Sequence, residues 1–238
     1  DVSLSQGQHQ KKWLEYRSVT PAQRELALAQ IATHPCPPIF AFAVVDLEGD
    51  LTKLTATLDS LKKSAADYPH LLTISFSVST EVSNGDFEAA IHVTRENWIA
   101  AINQSIALRD VDWLGILHAG EELISSGVLL SGLELLNAPD CHALYFDVMY
   151  QHADGSHGLA LRPDFNLDYL LSLPSVMGRH WLFRRNALLQ AGGFDSCFGE
   201  NPEFELVLRM ITNKGLQGLG HIAEVVLKAE PPPIQELT

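Results

Sequence analysis

The chain has 238 residues, 46% of them apolar, with 29 acidic against 16 basic side chains and a formal charge of −13. That is enough apolar mass for a sizeable α/β core, and it excludes global disorder. The negative balance, without a basic cluster, argues against nucleic acid and anionic membrane surfaces as partners. Cys36, Cys141 and Cys197 are odd in number and far apart, so neither a disulfide framework nor a cysteine metal site is expected, and a reducing cytoplasm is the default. No apolar run is long enough to span a bilayer, and no signal peptide is visible. The start at Asp1 and the ending "EPPPIQELT" are compatible with a domain of a longer polypeptide.

In chain order, residues 1–19 are polar and aperiodic. Thr20-Pro21 with Gln23 predicts a helix start with a capping box, and "HPCPP" (34–38) ends that helix. "IFAFAVVD" (39–46) reads as a strand buried on both faces. Leu51, Leu54, Leu58 and Leu61 recur at helical spacing. Strands are expected at 71–78 and 90–93, a helix through Trp98, Ile99, Ile102 and Ile106, a strand at 113–117, and a helix over 121–136. This alternation predicts a mostly parallel sheet covered on both faces.

The second half is less regular. Strands are expected at 142–150, 180–185 and 221–228, with "HADGS" (152–156) as a hairpin turn. Asn201-Pro202 should open a helix that runs to about Asn213 and stops at Gly215. The Pro-rich end reads as a linker. In parallel sheets ligands bind at the carboxyl ends of strands, here Asp46, Ser79 and His118. The boundaries expected are a polar segment and helix over 1–37, one main domain over 38–230 and a tail over 231–238.

Three segments carry a family likeness. "RPDFNLDYLLS" (162–172), "GRHWLFRRNALLQAGGFD" (178–195) and "PEFELVLRM" (202–210) resemble, in order, motifs of the bacterial family 2 glycosyltransferases with the nucleotide-diphospho-sugar (GT-A) fold. The resemblance covers roughly residues 38–230. It implies an α/β GT-A fold and transfer of a sugar, with inversion, from a nucleotide-diphospho-sugar donor to a saccharide or lipid-linked glycan acceptor. It further implies a cytoplasmic place, with peripheral attachment to the inner membrane as a variant, and other domains of a longer polypeptide as partners.

The same resemblance assigns roles. The family's general base carries over to Glu203, with Glu205 at its second acid. Asp46 falls where the family binds the nucleotide base. Asp147, Arg179, His180 and Asp195 fall on the acceptor side. The family's metal-binding D-x-D stretch aligns with "ILHAGEEL" (116–123), so His118 and Gly120 stand where acids are usual. The family's late histidine is replaced by Lys228.

Mg²⁺ and Mn²⁺ prefer carboxylate oxygens, so the expectation is no cofactor. Glu121 and Glu122 are the remaining candidates for metal ligands, and Lys228, Arg179 or His118 are the alternative cations for a diphosphate. A second reading stays open throughout. Glu203 and Glu205 also suit a helix N-terminus on dipole grounds. The altered D-x-D stretch also suits a catalytically inactive GT-A domain that binds glycan or a partner within a larger assembly.

Overall fold

The structure, a computed structural model, describes residue 17 and residues 19–80, 89–124, 126–152, 154–199 and 201–232. Most of the expected N-terminal polar segment and most of the Pro-rich tail lie outside the described residues.

The first half of the chain follows its periodicity. Helix α1 (Pro21–Thr33) opens with the expected capping box: the Thr20 side chain accepts from Gln23 N–H, and the Gln23 side chain accepts from Thr20 N–H. Strand β1 (Phe40–Asp46) is buried along its whole length. Helix α2 (Leu51–Asp67) starts at Asp50, whose carboxylate accepts from the N–H groups of Thr52 and Lys53. Strands β2 (Leu71–Ser77) and β3 (Ala89–His92), helix α3 (Trp98–Ala107) and strand β4 (Trp113–His118) follow.

The helix expected over 121–136 does not form as one element. Glu122–Leu123 is a short strand, β5, paired antiparallel with the last strand, and helix α4 begins only at Gly127 and ends at Leu136. The reason is tertiary: the Glu121 and Glu122 side chains are both engaged by residues distant in sequence.

Strand β6 (Ala143–Gln151) turns through the expected hairpin into β7 (His157–Ala160), the return strand whose bounds the sequence left open. Three short helices were unannounced: α5 (Leu167–Ser172), α6 (Pro174–Met177) and α7 (Arg185–Gln190). Strand β8 (Trp181–Arg184), helix α8 (Pro202–Lys214) and strand β9 (Leu219–Ala229) complete the chain. Gly215 closes α8 at φ +71°, as its position suggested.

The strands form one sheet in the order β3-β2-β1-β4-β8-β6-β9-β5, with β7 pairing β6 at the side. β3, β2, β1 and β4 run parallel, while β8 is antiparallel to both its neighbours and β6–β9 is again a parallel pair. This is an α/β fold with helices on both faces, the class the sequence implied. Alternation along β1 divides the core: Ala41, Ala43 and Val45 face a cluster built with α3 and α8, and Phe40, Phe42 and Val44 face one built with α1, α2 and α4. Each fully buried Phe or Leu there contributes about 1.5–3 kcal/mol by leaving water.

The parallel register fixes where function can sit. Asp46 lies opposite Ser77, and Val45 lies opposite His118. The carboxyl ends of β1, β2 and β4 therefore open at one edge, where a doubly covered sheet leaves room for a ligand.

Candidate functional site

A cavity of about 370 Å³ lies at that edge. Its size is at the low end for a small-molecule site. Asp46 and His118 line it from β1 and β4, Glu121 and Arg179 from the loops beyond β4 and before β8, Lys53 from the first turn of α2, and Arg95 from the turn before α3. The expected meeting of Asp46 and His118 in one cleft is what the structure shows.

Asp46 is 1% exposed, and its carboxylate is already satisfied. Oδ1 accepts from the N–H groups of Glu48, Gly49 and Asp50 at 3.2, 2.8 and 3.3 Å, and Oδ2 accepts from Ser77 Oγ at 2.8 Å. It shapes the loop between β1 and α2, and so fixes one wall of the cavity. His118 packs edge-on against Trp98, with ring centroids 6.1 Å apart. Burial and the nearby Arg179 guanidinium depress its pKa to about 4, so the ring is neutral at pH 7.

Glu121 is the centre of the polar cluster. Oε2 accepts from His118 N–H at 2.8 Å, and Oε1 takes Arg179 at 2.9 Å and His180 Nε2 at 3.0 Å. Burial alone would raise its pKa, but His180 and Arg179 outweigh that and hold it below the usual carboxylate range. Glu122, the other acid of the pair, pairs instead with Lys228 at 3.0 Å, directly opposite it across β5 and β9.

These contacts decide the fit of a divalent cation. Both oxygens of Glu121 are engaged by donors, Glu122 is held by Lys228, and Gly120 offers no side chain. Among the described residues no group of three or more His, Cys, Asp or Glu side chains is arranged to hold a metal ion. The residues present do not fit Mg²⁺ or Mn²⁺.

Gly120 has a different use. Its φ is +98°, and a Cβ there would lie 3.3 Å from Cδ of Lys53. The glycine lets the chain turn left-handed while the Lys53 stem passes over it toward the cavity. Gly120 N–H donates to the Lys53 carbonyl at 3.2 Å and to Thr57 Oγ1 at 2.9 Å, which ties the loop to α2.

Behind the cavity the cluster continues inward. His180 is 4% exposed and adopts φ +64°, the one left-handed non-glycine among the described residues. Arg162, also buried, donates to the Arg179 carbonyl at 3.0 Å and to His180 Nδ1 at 3.3 Å. Asp147 Oδ1 accepts from Arg162 N–H at 2.8 Å and lies 3.2 Å from His221 Nε2. Asp147, Arg179 and His180 thus belong to one cluster with Glu121, of which Glu121 and Arg179 line the cavity.

Glu203 sits on the far side of this cluster, 3% exposed at the start of α8. Its oxygens accept from Trp181 N–H at 2.9 Å and from His180 N–H at 3.4 Å, so it anchors the first residues of β8. Burial pushes its pKa up to about 7, against the pull of those N–H groups and of Arg179.

The structure does not bring the remaining expected residues to the cavity. Glu205 pairs with Arg209 Nε at 2.8 Å, and Arg209 in turn donates to the carbonyls of Ala191 and Gly193. Asp195 caps a short turn at Ser196–Phe198, accepting from Cys197 N–H at 2.9 Å. Lys228 lines an adjoining cavity rather than this one. Sequence reasoning missed Lys53, Arg95, Arg162 and His221. Only Arg162 had a signal, its place at the head of "RPDF".

No protein-family model matches the chain. No curated protein matches it either. Solved structures do. Residues 1–349 of S. aureus TarS superpose with a TM-score of 0.61 at 9% identity, over 81% of this chain and 60% of that one. The same TarS fragment in complex with UDP gives the same figures. In complex with UDP-GlcNAc it matches at TM-score 0.61 and 9% identity, over 81% of this chain and 58% of that one. The chain spans about 60% of the length of these TarS structures. The likeness establishes the fold, an α/β sheet of the GT-A kind. Among the described residues no helix is long and apolar enough to cross a membrane.

Proposed function

We propose that the chain is a glycosyltransferase domain that binds a nucleotide-diphospho-sugar at the carboxyl ends of β1 and β4 and transfers the sugar, with inversion, to a saccharide or lipid-linked glycan. The observation that carries this reading is the cavity itself. Parallel strands deliver Asp46 and His118 to one edge, and three cations, Lys53, Arg95 and Arg179, line the same space. The UDP and UDP-GlcNAc found in the TarS structures point to the same ligand class on the same fold.

In this reading protein cations replace a metal. The acceptor hydroxyl attacks the anomeric carbon, the bond to the donor phosphate breaks, and the nucleoside diphosphate leaves with its charge met by Arg179 and Lys53. The hydroxyl proton passes to a base; the resemblance gives that role to Glu203, whose pKa of about 7 suits it, but Glu203 does not line the cavity, so in this reading the proton reaches it through the buried polar cluster.

One observation favours a second reading. Glu203 is buried and both its oxygens face backbone N–H groups, a position suited to a structural anchor. A catalytically inactive GT-A domain that binds glycan or a partner would keep such a residue.

Calorimetric titration with UDP and UDP-GlcNAc, in EDTA and then in Mn²⁺, tests the first reading. It expects binding that EDTA leaves unchanged, and sugar release from UDP-GlcNAc or a relative when acceptor is supplied. No binding of any nucleotide sugar in either condition replaces it with the inactive module. Binding that requires Mn²⁺ returns a metal to Glu121 or Glu122.

A further inference from the structure

The cavity holds an ion pair that no catalytic role requires. Lys53 Nζ lies 3.0 Å from Glu230 Oε1, joining the first turn of α2 to the residue that follows β9. Both residues line the cavity, together with Pro231 and Pro232. Lys53, Glu230 and Pro231 also line the adjoining cavity of about 560 Å³, so this pair stands at the partition between the two spaces.

Three other acids of the cavity, Asp46, Asp50 and Glu121, have different employment. Asp46 and Asp50 accept backbone N–H groups, and Glu121 holds Arg179 and His180. Glu230 differs: its side chain is 70% exposed, and Lys53 is its ionic partner among the described residues. It places a carboxylate oxygen on the ammonium that points into the proposed phosphate site. A carboxylate and a phosphate offer an ammonium the same kind of acceptor, and the phosphate offers more charge.

We infer that Glu230 is a displaceable internal counter-anion: it occupies Lys53 while the cavity is free of ligand and yields to the phosphates of an incoming nucleoside diphosphate. This rests on the reading above that the cavity takes a phosphate-bearing ligand. Exposed ion pairs are weak, which is what a displaceable contact requires. Release of Glu230 has two consequences. Lys53 turns from a neutralised to an available cation, and the segment Glu230–Pro232 loses its tie to α2, which opens the partition toward the second cavity. The residue that makes Lys53 available at this place is Gly120, whose left-handed turn carries the lysine stem.

The test uses the full chain, in EDTA, with UDP and inorganic pyrophosphate as probes in calorimetry. Glu230→Gln should tighten both ligands about two- to fivefold, the size of a weak surface pair. Lys53→Ala should weaken both roughly tenfold. In the double variant the gain from Glu230→Gln should vanish. Glu48→Gln removes an acid from the same cavity and should leave affinity within about a factor of two, which separates a specific contact from a general field. Hydrogen exchange at residues 228–230 should speed up when pyrophosphate binds.

An equal gain from Glu230→Gln with and without Lys53 overturns the inference. So does an affinity that does not respond to Glu230→Gln. In both cases the ligands still bind, and the nucleotide reading stands. If neither anion binds any of the variants or the parent, both ideas fall together.

Discussion

His180 donates from Nε2 to Glu121 across 3.0 Å, because its Nδ1 faces the guanidinium of Arg162 at 3.3 Å and a guanidinium can only donate. The ring is therefore neutral, with its proton on Nε2. Burial lowers its pKa further, so the tautomer is stable at neutral pH. Glu121, held this way, presents Arg179 at the cavity. His180→Ala removes both contacts: the buried Arg162 guanidinium loses its ring acceptor, while Glu121 Oε1 keeps Arg179. Leaving a buried donor short of a partner costs about 1–3 kcal/mol. A cost of about that size is expected, read as a lower urea midpoint with an unchanged slope. A variant as stable as the parent would mean that the cluster does not hold β8.

Arg179 and Lys228 separate the two candidate cation sites. Arg179 lines the cavity and is 2.9 Å from Glu121; Lys228 faces Glu122 one strand away. Arg179→Ala should weaken UDP roughly ten- to a hundredfold, matching a lost charge-assisted contact of about 1.5–3 kcal/mol. Lys228→Ala should change UDP affinity less than about twofold and stability by at most about 1 kcal/mol, since its pair with Glu122 is partly exposed. The reverse ranking in calorimetry would move the phosphates to the adjoining cavity.

The first half of the fold was legible because its signals are local. "IFAFAVVD" is apolar at every position of a strand buried on both faces, and Thr20, Pro21 and Gln23 write a helix start into four residues. The site was legible at the strand ends, Asp46 and His118, and through the resemblance at Glu121 and Arg179, which line the same cavity. Glu121 and Glu122 misled because they look like the first turn of a helix. Their partners are Arg179, His180 and Lys228, all far along the chain, and nothing within a helical turn reveals them. Lys53 reads as a surface lysine of α2; only the fold of Gly120 against it brings it to the cavity. Glu203 was visible as an acid at a helix start, but its burial depends on how α8 docks against β8.

Gly120 offers a test of the loop between β4 and β5. At φ +98° any side chain is strained, and a methyl would meet the Lys53 stem at 3.3 Å. Gly120→Ala should cost about 1–2 kcal/mol, or roughly 2–8 °C in Tm for a chain of this size. It should also weaken pyrophosphate binding, because Lys53 must shift. An unchanged Tm together with unchanged affinity would show that the loop tolerates a Cβ and that Lys53 is not guided by it.

Glu203 makes stability depend on pH in a direction opposite to most carboxylates. Its pKa rises from an ordinary 4.5 to about 7 in the folded chain, chiefly through burial. The folded state therefore binds this proton more tightly than the unfolded state does. The stabilisation is fully present below about pH 4.5 and is lost as pH rises through about 7. Its size is on the order of 3 kcal/mol. Glu121 and His118 act the other way, since their folded pKa values are depressed, and they favour the folded state at higher pH. Total stability mixes these slopes, so the informative quantity is the difference between the parent and Glu203→Gln. Glutamine keeps an acceptor for Trp181 N–H and cannot ionise. The parent's stability relative to the variant should fall as pH rises from 5 to 8, by most of that 3 kcal/mol. Urea melts at half-unit steps measure it. A flat difference across this range would mean that Glu203 is ionised in the folded chain throughout, and that its N–H partners and Arg179 outweigh the burial of its charge.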